Sequence, residues 1–285
     1  MAVVKKYFYR SIFIFLFLSG FPGFGQELKY PWPHKSMQTI ESRIAPPENF
    51  VRVSVAPGSF QDWLRHLPLK PGKPDVLLYN GGPRPDQSAH VAVIDMDVGN
   101  GDLQQCADSV IRLRAEYFYS RKDYKNIHFN FTSGDEASFE KYAQGYRPLV
   151  AGNFVRWFNI APKDYSYAGF RNYLTLVFRY AGTYSLSQEM APVKNPEKMM
   201  IGDVFIRGGF PGHVVMVVDM AENPKTGQKV FLLAQGYSPA VEMMVLENRI
   251  NGKLSPWYST KINDILITPQ YNFKREELRR FIGPH

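Results

Sequence analysis

Residues 202–219 read GDVFIRGGFPGHVVMVVD, and this stretch decides the fold. Its two ends are runs of β-branched and apolar residues, and its middle, RGGFPG, is punctuated by glycine and proline. Branched side chains suit a pleated strand, and Gly and Pro set up turns, so the stretch reads as strand, turn, strand. KVFLLAQGY (229–237) is a third strand, joined to the second by the turn-forming run ENPKTGQ. Alternate residues of a strand share a face. His213 therefore shares its face with Val215, Val217 and Asp219, and Gln235 shares one with Leu233 and Phe231. The loop length brings Gln235 within a few residues of the rung opposite His213. An amide there can hold an imidazole in one tautomer, the orienting role in a nucleophile–base–orienter set.

Working outward, FVRVSV alternates as a strand, SFQDWLRHL opens on a Ser cap as a short helix, and DVLLYNGGP and HVAVIDMDV read as further strands. GNGDLQQCADSVIRLRAEYFYSR is the clearest helix. Asp102 caps it, Leu103, Cys106, Val110, Leu113, Tyr117 and Phe118 share one face, and Arg112, Arg114 and Glu116 lie elsewhere. A second long helix starts near Tyr165 and stops at Gly182, with Phe170, Tyr173, Leu174, Val177 and Phe178 as its apolar stripe. Helices followed by a run of strands predict an α+β fold.

The chain has 285 residues, 45% of them apolar and 15% aromatic, enough for a real core. Lys5, Lys6 and Arg10, a short apolar run from Ser11 to Phe21 and the small residues Gly23 and Gly25 form the three parts of a secretory signal. The expected organisation is a signal peptide over 1–25, an extended proline-rich arm over 26–47 and one α+β domain over 48–285. The expected location is export, to the periplasm or the cell exterior, with membrane contact only through the signal. Cleavage lowers the net charge from +8 to +5, with no basic run, which argues against a dedicated nucleic-acid binder.

One cysteine, Cys106, forbids an internal disulfide. It has two readings. One turn into a helix, the macrodipole and free N–H groups lower a thiol's pKa and make a nucleophile. In the apolar stripe the same residue is a small core hydrophobe. Gln104 and Gln105 beside it can offer an amide to an oxyanion. His90 heads a strand and can approach Cys106 or simply begin the strand. Asp95, Asp97 and Asp102 fail the calcium-loop pattern because Gly99 takes a ligand position, and His34, His66, His128 and His285 are scattered without zinc spacing, so no metal or cofactor is expected. Trp32, Trp63, Trp157 and Trp257 either line a sugar or peptide groove or pack.

MMIGDVFIRGGFPGHVVMVVD resembles the GD–strand–GH–strand segment of NlpC/P60 peptidoglycan peptidases, a branch of the papain-like cysteine hydrolases. The resemblance implies a papain-like helix plus antiparallel sheet, carrying an N-terminal strand and helix extension. It implies His213 as general base and Gln235 as its orienter. The family's nucleophile helix aligns with DYSYAGFRNYLTLVF, where Gly169 and Phe170 fit but Tyr167 stands in place of the cysteine. Over about Thr39 to Phe281, TIESRIAPPENF, SFQDWLRHLPLKP, DLQQCADSVIRLRAEYFYS, YAGTYSLSQEM and SPWY resemble the bacterial proteins grouped as domain of unknown function 4846. LLAQGYSPAVEMMVL departs from that group's more polar pattern.

Two functions follow as expectations. The first is an exported cysteine hydrolase or amidase acting on envelope peptide or amide bonds, with Cys106, His213 and Gln235 as its catalytic set. The second is an inactive papain-like module that binds a peptide or glycan, such as a peptidoglycan fragment, with Tyr167 in the lost nucleophile position. Tyr167, Asp219 and Gln105 are the candidate binding residues.

Overall fold

A computed structural model describes Met1 and residues 28–284; the expected signal segment lies outside the described residues. Among the described residues, no helix is long and apolar enough to cross a membrane. The fold is mixed α/β around a mostly antiparallel sheet.

The helices are α1 (Ile40–Arg43), α2 (Phe60–Arg65), α3 (Cys106–Ser120), α4 (Phe139–Ala143), α5 (Tyr167–Tyr180) and α6 (Thr183–Gln188). The strands of the first half are β1 (Val51–Arg52), β2 (His90–Val93), β3 (His128–Asn130), β4 (Glu136–Ser138), β5 (Tyr146–Ala151) and β6 (Phe154–Asn159). Those of the second half begin with β7 (Met190–Pro192), β8 (Val204–Arg207), β9 (His213–Glu222), β10 (Lys229–Gln235) and β11 (Met244–Leu246). They end with β12 (Tyr258–Ser259), β13 (Ile265–Ile267), β14 (Asn272–Lys274) and β15 (Leu278–Phe281).

The main sheet runs β2-β11-β10-β9-β8-β15-β7, with β1 beside β9 and β12 beside β10. Strands β8, β9 and β10 are the three expected from the opening stretch, and β9 is buried from His213 to Ala221. DVLLYNGGP forms only the isolated bridges Leu77–Pro83 and Leu78–Val241, because its glycines and prolines break the ladder. The hairpin β5–β6 has no counterpart in the sequence reading; its apolar residues straddle both faces, so Leu149 and Phe154 stay exposed.

Between Leu232 and Leu233 the β9–β10 register shifts: Leu232 faces Asp219 while Leu233 faces Val217, leaving Val218 as the extra residue. A bulge of one residue reverses the alternation. Asp219 therefore leaves β9 on the face opposite His213, contrary to the strict two-residue period.

That second face carries α2 and α3. Helix α3 packs on β9 and β10, and α2 packs on β9. Val110, Leu113 and Tyr117 are buried as the stripe predicts, but so are Arg112 and Glu116, both fully. The expected polar side of α3 is covered by α5, so α3 is a central helix. Arg112 pairs with Glu116 at 3.2 Å and with Asp97 at 2.7 Å, which neutralises what would be costly isolated charges. The opposite face of the sheet is closed by the C-terminal hairpin, where Phe273 of β14 meets Phe205 of β8 at 6.1 Å between centroids. Of the expected arm, residues 28–47 are docked, with Trp32 buried and its Nε1 donating to Asp95 O at 2.7 Å. Trp63 and Trp257 are core residues as well, which removes three of the four tryptophans from any groove.

Candidate active site

The site lies where β9 and β10 part. Val217 exchanges backbone bonds with Gly202 and Asp203 on the β8 side, so by alternation the N–H of Val214 points toward β10. The ladder with β10 ends at Ala234–Met216, and β10 itself ends at Gln235. The gap beyond is filled by the first turn of α3. Gly236 permits this approach: a Cβ there would lie 2.2 Å from Ser109 Oγ and 2.8 Å from Gln105 O. Only a residue without a side chain lets the helix sit so close.

Cys106 is the first residue of α3, with Gln105 as N-cap. The backbone N–H groups of Ala107, Val214 and Cys106 itself lie where they favour the thiolate. The thiol thus lies against the residue adjoining His213. At the same end of the sheet, His213 Nε2 meets Gln235 Oε1 at 2.8 Å. An amide oxygen only accepts, so Nε2 carries the proton and Nδ1 is the basic nitrogen. Tyr237, Tyr271 and Phe273 surround the imidazole at centroid distances of 5.3, 5.1 and 6.0 Å. Arg84 stacks over Tyr237 at 4.8 Å.

The electrostatics differ from the sequence expectation of a low-pKa thiol. Burial raises the Cys106 thiol from 9.0 to about 11; the three N–H groups oppose the shift, and the Asp108 carboxyl adds to it. The sulfur's residue is 9% exposed and His213 4%. Burial also lowers the imidazole pKa, against the Gln235 bond that raises it, and Arg84 lowers it further. Desolvation disfavours both charged forms, so the thiol and the imidazole each rest neutral.

The other candidates fall elsewhere. Tyr167 donates to Glu116 Oε1 at 2.8 Å. Glu116 is about 15 Å along α3 from Cys106 at ~1.5 Å per residue, so Tyr167 does not reach His213. Its position is set by the buried Glu116 carboxylate, not by the imidazole. Asp219 is fully buried and is held by Arg52 at 2.8 Å and Arg65 at 2.7 Å, as a structural ion triad about 20 Å down the strand at ~3.3 Å per residue. Gln105 donates its side-chain amide to Asp102 at 3.0 Å, and Gln104 accepts from Arg112 at 2.7 Å while its NH₂ donates to Asp97 O at 3.4 Å, so both amides are engaged within the fold. Asp102 does not cap α3; its carboxylate also takes the N–H of Ala240 at 2.6 Å. His90 Nε2 meets Pro74 O at 2.9 Å. Asp97 pairs with Arg112 and Arg171, and Asp95 binds the N–H groups of Lys35 and Ser36. Among the described residues no cluster of side chains could hold a metal ion.

Sequence reasoning missed Tyr237, Tyr271, Gln270, Asp86 and Arg84 around the imidazole. Of these only Tyr237 had a local signal, being two residues beyond Gln235 and so on its face.

A family model described as Domain of unknown function (4846) matches residues 40–280. No curated protein and no solved structure matches the chain.

Proposed function

The chain belongs to the family of domain of unknown function 4846, and from its sheet-end geometry we propose that it is a thiol-dependent hydrolase or amidase. Cys106 is the nucleophile, His213 the base and Gln235 the residue that orients the imidazole. The observation that carries this reading is that the first turn of α3, which bears Cys106, packs against Gly236 at the end of the sheet where Gln235 holds His213. Thiol at a helix start, imidazole on a strand and amide on the next strand follow the papain-like order.

Because thiol and imidazole rest neutral, the chemistry is general-base attack. As sulfur bonds to the substrate carbonyl carbon, its proton passes to His213 Nδ1. The N–H groups around the sulfur favour negative charge developing beside it. Nδ1–H then protonates the leaving amine, giving a thioester that water hydrolyses with His213 again taking the proton. We propose envelope peptide or amide bonds as substrates, on the strength of the export-type N-terminus. Incubation with peptidoglycan-derived peptides should release amine and give an acyl adduct on Cys106 visible by mass spectrometry. Cys106→Ala or His213→Ala should lower turnover by about 10⁴-fold or more. Turnover that survives in Cys106→Ala would end this reading.

One observation favours a binding module instead: the thiol is nearly buried and protonated. In that case the same peptides bind without any adduct, and Cys106→Ala leaves their affinity unchanged.

A further inference from the structure

Gln235 is the first member of a longer chain. Its Nε2 donates to Gln270 Oε1 at 2.5 Å, and Gln270 Nε2 donates to Asp86 Oδ2 at 3.4 Å. Gln270 comes from the loop between β13 and β14, and Asp86 from the segment before β2. The other Asp86 oxygen, Oδ1, receives the N–H of Ser88 at 2.9 Å and its hydroxyl at 2.5 Å. These two donors hold the carboxyl below the usual range and so keep it ionised.

An ionised carboxylate accepts and cannot donate, whereas a primary amide has one accepting and one donating end. The carboxylate therefore sets the sense of every link. Gln270 must turn its NH₂ to Asp86 and its oxygen to Gln235. Gln235 must then turn its NH₂ to Gln270 and its oxygen to His213. His213 must donate from Nε2, which leaves the Nδ1 lone pair as the base. Gln235 alone does not determine this, because an unanchored amide can turn its NH₂ to Nε2 and donate there equally well.

We propose that Asp86 and Gln270 are positioning residues that dictate the His213 tautomer through Gln235, a role that rests on the thiol-hydrolase reading for its use in catalysis. The carboxylate acts as in a serine-type triad, but at one remove, transmitted by two amides whose orientation it polarises. Its own carboxyl is partly open to solvent, so the charge is tolerated where a direct partner of the buried imidazole would be expensive.

Asp86→Asn tests this with a near-isosteric change. The Ser88 donors hold the one oxygen left on the new amide, so its NH₂ faces Gln270 and the sense of the chain reverses link by link. The proton then moves to Nδ1, and the lone pair moves to Nε2 against Gln235. The double variant Asp86→Asn/Gln270→Glu restores the original sense, because a carboxylate at position 270 accepts from both neighbours. The readout is the tautomer of His213 by NMR of ring-¹⁵N-histidine protein, with its signals assigned by their loss in His213→Ala. Wild type and the double variant should hold the proton on Nε2, and Asp86→Asn should show the Nδ1–H form. Iodoacetamide modification of Cys106 should fall about tenfold in Asp86→Asn and return in the double variant. An Nδ1–H tautomer in wild type, or one tautomer common to all three proteins, overturns the proposal, and the wild-type spectrum alone decides should Asp86→Asn not fold. If the tautomer switches while Cys106 reacts only after unfolding, the relay stands and the hydrolase reading fails.

Discussion

The pH dependence of Cys106 alkylation is the sharpest measure of the site's electrostatics. The folded thiol is pushed from 9.0 to about 11, so at any pH below 9 its thiolate fraction is about a hundredfold smaller than a free thiol's. A more basic thiolate is intrinsically more nucleophilic, with a Brønsted slope of about 0.4–0.5, which returns roughly tenfold over two pH units. The balance is a folded-state reaction about tenfold slower than an exposed cysteine, before shielding of the 9%-exposed residue is counted. The rate should rise steadily with pH and show no fast plateau below pH 7. His213 changes this only as a base. Neutral at pH 7 because burial lowers its pKa, it should accept the thiol proton as the carbon–sulfur bond forms. Wild type should therefore outpace His213→Ala by about tenfold near pH 7, and the gap should narrow as pH rises toward 11, where thiolate becomes abundant. The assay is mass-resolved iodoacetamide labelling of folded protein from pH 5 to 10.5. A low-pH plateau would refute the neutral-pair electrostatics. Superimposable profiles for the two proteins would refute His213 as the base.

Gly236→Ala should cost about 1–3 kcal/mol by thermal or urea melting, because Ser109 Cβ, 3.0 Å from the new methyl, cannot rotate away. Gly236→Val should cost more again, because Gln105 O, 2.8 Å from the new Cβ, is helix backbone that cannot turn aside; equal losses for the two variants would mean that the helix–strand contact is not the cause. Asp219→Asn should cost about 3–5 kcal/mol, since it leaves the buried Arg65 without its counter-ion, while leaving Cys106 alkylation in the folded state as it was. A selective loss of alkylation would instead return Asp219 to the site. Asp108 is buried and its carboxyl is raised from 3.8 to about 8, so the folded chain holds a proton that the unfolded chain releases. Its contribution to stability is full below about pH 4, falls as pH rises toward 8 and is level above that. Asp108→Asn keeps an oxygen for the Gln105 N–H and removes this titration, so wild type should lose stability relative to the variant between pH 4 and 8 in urea melts. Parallel curves for the two proteins would contradict the shift.

The sequence alone determined what is written locally. The strands β8, β9 and β10 announce themselves because side chains two apart must share a pleated face. The turn ENPKTGQ fixes their register closely enough to pair His213 with Gln235. The stripe through Cys106, Val110, Leu113 and Tyr117 gives α3 by the same kind of periodicity, and Ser59 caps α2 as its position foretells. Tertiary structure decided everything that depends on what lies across a gap. One extra residue at Val218 turned Asp219 to the other face, and a bulge has no signature in a run as uniformly apolar as VVMVV. Helix α5 buried Arg112 and Glu116, which a polar stripe presents as solvent-facing, and that buried carboxylate drew Tyr167 away from the imidazole. The thiol's pKa followed from depth: N–H donors at a helix start are visible in sequence, but the desolvation that outweighs them is not. Asp86, Gln270 and Gln235 stand in three separate segments, and hydrogen-bond polarity links them only once folding has brought those segments to one end of the sheet.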